Sequence, residues 1–131
     1  MKKKIFVNFL VLITLISSCN KNYTLQKTVK GKIVNNNLAI KDVSIKYEST
    51  NVLSPQNVKT DKNGFFIMPK IEIRGYKEFI SRQKEINSQM IINKSNYKTI
   101  RINIDKYDKG HDTIDLGFIY LRELKNINSK E

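Results

Sequence analysis

The sequence is short of the residues that most catalytic and metal sites require. Its 131 residues include one cysteine, Cys19, one histidine, His111, and no tryptophan. A single cysteine excludes an internal disulfide or a multi-thiolate metal site, and a single histidine excludes any site that needs two imidazoles. Only two prolines and five glycines interrupt regular structure. We therefore expect a small domain that is not an enzyme and uses no metal or cofactor.

The charge of the chain is strongly one-sided. There are 24 Lys+Arg residues against 12 Asp+Glu, which gives a formal net charge of +12. Twenty of the basic residues are lysines and four are arginines, and they are scattered among the acids. Nucleic-acid recognition favours clustered basic residues and the planar fork of arginine. We therefore predict no nucleic-acid partner, and the 40% hydrophobic content is enough for one folded core.

The N-terminus has the three parts of a secretory signal. Three lysines, Lys2 to Lys4, precede the apolar stretch Ile5 to Ile16, and Ser17-Ser18-Cys19 follows it. The apolar stretch has 12 residues, whereas a membrane-spanning helix needs about 20. The pattern predicts export across a membrane.

The exit from this signal resembles the lipobox of bacterial lipoproteins. Leu15-Ile16-Ser17-Ser18-Cys19 has an aliphatic residue at −3 and small residues before the cysteine. The resemblance implies cleavage after residue 18, a diacylglycerol on Cys19, and a short lipidated tether over residues 19–27. The alternative is an ordinary signal peptide with an incidental thiol.

Asn20 bears on the destination of such a lipoprotein. In Gram-negative lipoproteins an aspartate after the cysteine favours retention in the inner membrane, and this chain has Asn20 there. The resemblance implies an outer-membrane anchor that faces the periplasm. A basic domain held close to a bilayer would meet anionic lipid headgroups.

From Thr28 onward, hydrophobic residues alternate with polar ones in short segments. Period-two alternation separated by turn residues every 8–12 residues predicts an all-β sandwich. Asp61-Lys62-Asn63-Gly64 predicts a hairpin turn, and residues 49–56 predict a loop. The predicted strands are Val29–Ile33, Val43–Tyr47, Val58–Thr60, Phe65–Met68, Met90–Ile92, Thr99–Ile104 and Leu116–Leu121.

The alternation lapses between residues 70 and 88. Within this segment, residues 77–86 are compatible with about two helical turns. We expect a partly helical or irregular insertion, which is either a functional excursion or a surface loop without a role.

Several motifs in order resemble the carboxypeptidase regulatory-like domain. The first is Val29-Lys30-Gly31-Lys32-Ile33, which matches V-x-G-x-[IV], and the most specific is Thr60-Asp61-Lys62-Asn63-Gly64-Phe65-Phe66, which matches T-D-x-x-G-x-F. Leu38 to Ile45 follows the family's second strand, Asn96-Tyr97 stands where the family has Gly-Tyr, and Asp115 to Leu121 resembles its closing strand. Asn tolerates the left-handed backbone better than other non-glycine residues.

This resemblance implies a fold and a class of role. It implies a seven-stranded Greek-key β-sandwich similar to transthyretin (prealbumin) over residues 28–122, with a polar tail at 123–131. In carboxypeptidases such a domain accompanies a separate zinc peptidase domain, and on bacterial surface proteins its roles are structural or adhesive.

Asp61, Asn63 and Gly64 have two interpretations. They form half of a calcium-loop pattern, but the apolar residues that follow lack the terminal glutamate. We therefore interpret them as structural turn residues. His111 lies in a polar turn without an identifiable catalytic partner, so we expect an exposed loop histidine.

Four apolar residues are candidate partner contacts. Alternation places Phe66 and Met68 on one face and Phe65 and Ile67 on the other. Either the insertion, residues 71–86, packs over Phe65 or Ile67, or the pair forms an exposed patch that contacts a partner. Tyr76 and Phe79, within the insertion, are the other candidates.

The sequence as a whole suggests a non-enzymatic, membrane-anchored lipoprotein of the cell envelope. We expect its sandwich domain to bind or scaffold another envelope component, either a protein or a glycan. The alternative is an immunity or inhibitor lipoprotein that caps a toxin or hydrolase at the membrane.

Overall fold

The computed structural model describes residues 21–48 and 57–124, and most of their regular structure is β-strand. The helical elements in these ranges are one α-helix, α1 (Tyr76–Gln83), and one 3₁₀ turn, Ile104–Tyr107. The strands are β1 (Asn22–Gln26), β2 (Thr28–Asn35), β3 (Leu38–Ala39), β4 (Ser44–Tyr47), β5 (Val58–Lys59), β6 (Phe65–Met68), β7 (Ile71–Arg74), β8 (Gln89–Asn93), β9 (Ile100–Asn103) and β10 (Thr113–Tyr120).

The strands form three sheets. In the first sheet, β2 is central, with β10 parallel along one edge and β6 and β3 antiparallel along the other. The second sheet is antiparallel and has the order β5-β4-β8-β9. The third contains only β1 and β7, again antiparallel.

One hydrophobic core is built from the inward faces of the two larger sheets. Val29 and Ile33 from β2, Ile45 from β4 and Ile92 from β8 are fully buried and belong to one cluster. Each of these strands alternates buried and more exposed residues, as expected when one face packs and the other meets water. The architecture is that of an all-β, sandwich-like domain.

Gly31 packs closely against a neighbouring strand of the first sheet. It faces Phe66 of β6, and a Cβ at Gly31 would lie 2.9 Å from the Phe66 ring. Because the ring occupies the space above the glycine, a larger residue here would displace a buried aromatic side chain.

Each segment predicted as a strand contains one in the structure, apart from small shifts at the ends. The insertion is partly helical, as predicted, and α1 forms about two turns of it. Asn96 has the predicted left-handed backbone, with a φ of 69°. The predicted loop at 49–56 lies outside the described residues.

The predicted hairpin at Asp61–Gly64 is wrong. β5 before the turn pairs with β4, whereas β6 after it pairs with β2, so the turn carries the chain from one sheet to the other. The same Asp-x-x-Gly chemistry closes a turn in either case, and the sequence around it does not determine which strands pair.

The structure also differs from the expected seven strands and from the expected tether. The described residues contain ten strands, and three of them, β1, β3 and β7, were not predicted. Asn22–Gln26, expected to be part of a patternless tether, pairs with β7 of the insertion. The tail is ordered at its start, where the Leu124 N–H donates to the Asn96 carbonyl at 2.8 Å. No helix within the described ranges is long and apolar enough to cross a membrane.

Candidate functional site

The outward face of the first sheet carries a row of three side chains, in which a half-buried lysine lies between two exposed aromatic residues. Lys32 of β2 is the cross-strand partner of Phe65 on β6 and of Phe118 on β10. The Lys32 Nζ lies 4.8 Å from the centroid of the Phe65 ring and 5.8 Å from that of the Phe118 ring. Phe65 is 50% exposed and Phe118 is 62% exposed. A cation between two aromatic rings therefore faces solvent.

A second row lies beside the first on the same face. Lys30 is the cross-strand partner of Ile67 on β6 and of Asp115 on β10, and its Nζ is 3.2 Å from the Asp115 carboxylate. Ile67 is exposed. The two rows line a groove of about 470 Å³, which we call the outer groove. Its lining residues are Lys30, Gly31, Lys32, Phe65, Phe66, Ile67, Asp115, Gly117 and Phe118.

A β-bulge in β10 turns Phe118 into this groove. The register with β2 shifts between Asp115 and Phe118, and Gly117 within the bulge has a φ of 65°. The Asp115 carboxylate accepts the Gly117 N–H at 2.9 Å. The bulge lets Leu116 and Ile119 both point into the core, so that Gly117 and Phe118 lie together on the outer face.

The electrostatics of the groove follow from these contacts. The Gly117 N–H and, second to it, the Lys30 ammonium lower the pKa of Asp115 from its ordinary value. Lys30 is therefore matched by a carboxylate. Lys32 has no ion-pair partner among the described residues, so its charge is available to an acidic group of a ligand.

The groove is suited to binding apolar groups. Its lining offers two ammonium groups and one carboxylate, with no cysteine, histidine, serine or threonine. Apolar and aromatic walls with a few charged groups are typical of sites that bury an apolar side chain and orient it by charge.

The four candidate contact residues lie in two separate places. Phe65 and Ile67 line the outer groove, whereas Tyr76 and Phe79 lie on α1, where their rings contact that of Tyr23 on β1. The expectation that the insertion covers Phe65 or Ile67 is wrong, since both side chains remain exposed. The insertion packs instead against β1, which offers the half-buried Tyr23 as a partner.

The turn residues have structural contacts. One Asp61 carboxylate oxygen accepts the N–H groups of Asn63, at 2.8 Å, and Phe65, at 2.9 Å. Gly64 has a φ of 77°. The buried Thr60 hydroxyl donates to the Ile40 carbonyl at 2.7 Å and accepts the Val43 N–H at 2.9 Å. These contacts fix the path of the chain just before Phe65 enters the groove.

The remaining candidates lie apart from the groove. Cys19 lies outside the described residues, and His111 is exposed in a loop. Asp108, which precedes the last strand, accepts from Lys27 Nζ at 2.8 Å. This bond is the largest of the effects that lower the pKa of Asp108.

Sequence reasoning missed three important side chains. Phe118 was placed in a strand but not in a site, and only the Asp115-x-Gly117 pattern signals the bulge that exposes it. Lys32 carried no signal beyond its charge, because only the pairing of β2 with β6 places it beside Phe65. Tyr23 carried no signal because the segment around it resembled a tether.

Comparisons with known proteins assign no family. No family model matches the chain, and no curated protein matches it. Among solved structures, a 3-chlorocatechol 1,2-dioxygenase from Rhodococcus opacus 1CP is similar, with 13% identity, a TM-score of 0.47 and coverage of 82% of this chain and 62% of the dioxygenase.

A 9R-lipoxygenase from Cyanothece PCC8801 is similar at 12% identity, with a TM-score of 0.36, over 91% of this chain and 21% of the lipoxygenase. This chain therefore spans less than two thirds of the length of either enzyme. Similarity at this level assigns no activity to it.

Proposed function

We propose that this chain is a non-enzymatic, membrane-anchored lipoprotein whose β-sandwich binds another protein of the cell envelope through the outer groove. The observation that carries the proposal is the row of Phe65, Lys32 and Phe118 across the first sheet, whose two aromatic rings are exposed. Contiguous apolar surface of this kind on a small domain is typical of a binding site.

The chemistry of the row favours a protein partner over a glycan. Glycans are held by many hydrogen bonds to their hydroxyl groups, and this lining has few polar side chains. Two aromatic rings beside an ammonium without an ion-pair partner suit an apolar side chain with a carboxylate next to it. Aromatic residues at the centre of an interface are also the type that contributes most to binding.

The envelope location rests on the N-terminal sequence. The signal pattern of residues 1–18 and the lipobox-like exit at Cys19 support a lipid anchor, and Asn20 supports an outer-membrane position that faces the periplasm. Two or more acyl chains hold a protein stably on a membrane, whereas one chain does not.

A transthyretin-like sandwich of the carboxypeptidase regulatory-like type is the proposed fold. Without the β1–β7 pair and the two-residue β3, seven strands remain, three in one sheet and four in the other. Gly31 of the first family motif also packs directly against Phe66 of the most specific one. Both features support the resemblance.

Alanine substitutions in the groove test the proposal. The lipidated protein is immobilised, exposed to solubilised envelope from its own cells, and the captured proteins are quantified by mass spectrometry. Phe65→Ala and Phe118→Ala should each lower capture of the principal partner about tenfold or more, because each removes a central aromatic contact. Since both side chains are half exposed or more, the melting temperature should change little.

Tyr107→Ala is the matched control, because Tyr107 is an exposed aromatic residue on the 3₁₀ turn outside the groove. Undiminished capture by both groove variants would contradict the proposal. If the captured material is a glycan that survives protease treatment, the partner is a glycan and not a protein. A captured toxin or hydrolase that the chain inhibits would support the immunity or inhibitor alternative.

A further inference from the structure

Three aromatic rings meet where the insertion contacts β1. The centroid of Tyr23 on β1 lies 5.3 Å from that of Phe79 and 5.7 Å from that of Tyr76, and Tyr76 and Phe79 are 6.4 Å apart. We call these three residues the aromatic cluster. The cluster shares no residue with the outer groove.

The apolar side of α1 is only partly covered by the fold. None of the eight residues of α1 is buried. Tyr76 is 62% exposed and Ile80 is 43% exposed. Residues four apart lie on the same side of a helix, so Ile80 lies beside Tyr76 and extends the aromatic cluster along α1 as one apolar surface. An exposed apolar surface of this kind is typical of an interaction site.

The charges around the cluster are positive. Lys21 and Lys77 make no ion pair with any carboxylate of the described residues, and the Lys21 Nζ is 6.0 Å from the centroid of the Tyr23 ring. The neighbouring acids are neutralised within the unit, since Glu72 pairs with Lys70 and Glu78 pairs with Arg82. The surface that remains combines exposed aromatic groups with unpaired cations.

The cluster lies within a few residues of the proposed lipid anchor. The N–H of Gly75, just before α1, donates to the Lys21 carbonyl at 3.1 Å. Cys19 is two residues before Lys21, and two residues span at most about 7 Å when extended. A lipid on Cys19 would therefore hold the start of α1 within about 10 Å of the headgroups.

We infer that the aromatic cluster, together with Ile80 and the cations Lys21 and Lys77, is a membrane-seating surface that rests on the bilayer to which Cys19 is anchored. The inference rests on the lipid-anchor part of the proposed function. Tyrosine suits the headgroup region because its ring is apolar and its hydroxyl is polar. The unpaired cations match anionic headgroups, and the seated surface would fix the orientation of the sandwich on the membrane.

Site-specific labelling measures whether this surface contacts lipid. Once Cys19 is acylated, a newly introduced cysteine is the sole free thiol of the chain. We would introduce it by the substitution Ile80→Cys or, as control, by Leu38→Cys. Leu38 is an exposed apolar residue that pairs with the C-terminal end of β2. Each lipidated variant carries an environment-sensitive dye in vesicles of phosphatidylethanolamine and phosphatidylglycerol that contain brominated lipid.

The expected result is quenching at residue 80 that is about fivefold or more greater than at residue 38, since only the first label would lie among lipids. Adding Tyr76→Ser and Phe79→Ser to the Ile80→Cys variant should reduce that quenching towards the control. Lys21→Gln and Lys77→Gln should reduce it in these anionic vesicles, whereas Arg74→Gln, on the opposite face of the β1–β7 sheet from Tyr23, should change it little, and the melting temperatures of all three report whether the fold is intact.

Failure of this inference is distinguishable from failure of the anchor or of the groove. Equal quenching at both positions in a protein that carries lipid and floats with vesicles would overturn the seating surface and leave the anchor intact. Absence of palmitate on Cys19 would overturn both the anchor and the surface that rests on it. Neither result depends on Phe65 or Phe118, which test the groove by partner capture.

Discussion

Two glycines with left-handed backbones differ in what surrounds them. Gly64, with a φ of 77°, lies against β2, and a Cβ there would be 2.5 Å from the Ile33 carbonyl oxygen. Its own carbonyl accepts the Ile33 N–H at 2.8 Å, so this backbone cannot move away easily. Gly117, with a φ of 65°, has open space where its Cβ would be.

Alanine at these two glycines should therefore have unequal effects. Gly117→Ala adds only the strain of a left-handed backbone, about 1–2 kcal/mol of lost stability. Gly64→Ala adds a backbone clash to the same strain, and we expect a loss of more than about 3 kcal/mol or failure to fold. Urea unfolding of both variants measures the difference. Similar losses would mean that the contact of Gly64 with β2 contributes nothing.

Among the elements, the β2–β3 hairpin has an unusual turn. Its two central residues, Asn36 and Asn37, have φ values of 46° and 64°, and Asn35 pairs with Leu38 across it. Two successive left-handed residues are the mark of a type I′ turn, whose twist matches that of the strands. Asparagine tolerates this conformation, but glycine is preferred at the second position.

Asn37→Gly should stabilise the domain by about 0.5 kcal/mol because it relieves a left-handed side-chain residue in a type I′ turn. Asn37→Val, as the opposite control, should lower the stability by about 1–2 kcal/mol, since a β-branched residue tolerates positive φ poorly. Urea unfolding midpoints report both changes. A destabilising Asn37→Gly would show that the side chain of Asn37 has a role that the turn geometry does not explain.

Elements whose signal is local were predictable, and those that depend on distant pairing were not. Alternation located β2 and β6, because a half-buried strand shows period two within a few residues. The pairing of β1 with β7 joins segments about 50 residues apart, and neither has a clear pattern by itself. The false hairpin has the same origin, since the turn at Asp61–Gly64 is local and the strand partners are not.

The residues of the candidate site also divide into those that local alternation could place and those that it could not. Alternation alone placed Phe65 and Ile67 opposite the buried Phe66 and Met68, and this arrangement is present in β6. Phe118 could not be placed by alternation, because the bulge at Gly117 changes the parity of β10. The aromatic cluster depends on β1 pairing with β7, so it could not be predicted before that pairing was known.

At the scale of the molecule, some of the positively charged side chains form ion pairs and others do not. Lys30 pairs with Asp115 and Lys27 pairs with Asp108, so part of the charge is neutralised within the fold. Lys32 in the outer groove and the cations around the aromatic cluster have no such pairs among the described residues. Both proposed binding surfaces thus combine exposed aromatic rings with unpaired cations, although unpaired lysines of the described residues, such as Lys46 and Lys59, also lie elsewhere.

Stability at high pH depends on one buried hydroxyl. Tyr47 on β4 is 5% exposed, and within the described residues no group meets hydrogen-bond geometry with its hydroxyl. Burial raises the pKa of Tyr47 from 10.0 to about 12, and the nearby Gln26 side chain acts in the opposite direction. The neutral phenol is thus favoured in the folded state, whereas the unfolded chain loses the proton near pH 10.

Tyr47→Phe should make the domain less sensitive to alkali. As the pH rises from 10 to 12 the unfolded wild-type chain binds fewer protons than the folded one at this site, so unfolding becomes easier by about 2–3 kcal/mol. Phenylalanine removes this contribution and, since no buried hydroxyl is left without a partner, should raise the stability near neutral pH by about 1 kcal/mol. Urea unfolding at pH 7, 10 and 11, with the exposed Tyr107→Phe as control, measures both effects. Parallel loss of stability in wild type and Tyr47→Phe would show that the hydroxyl has a partner or reaches water, and that alkaline unfolding arises from the lysines instead.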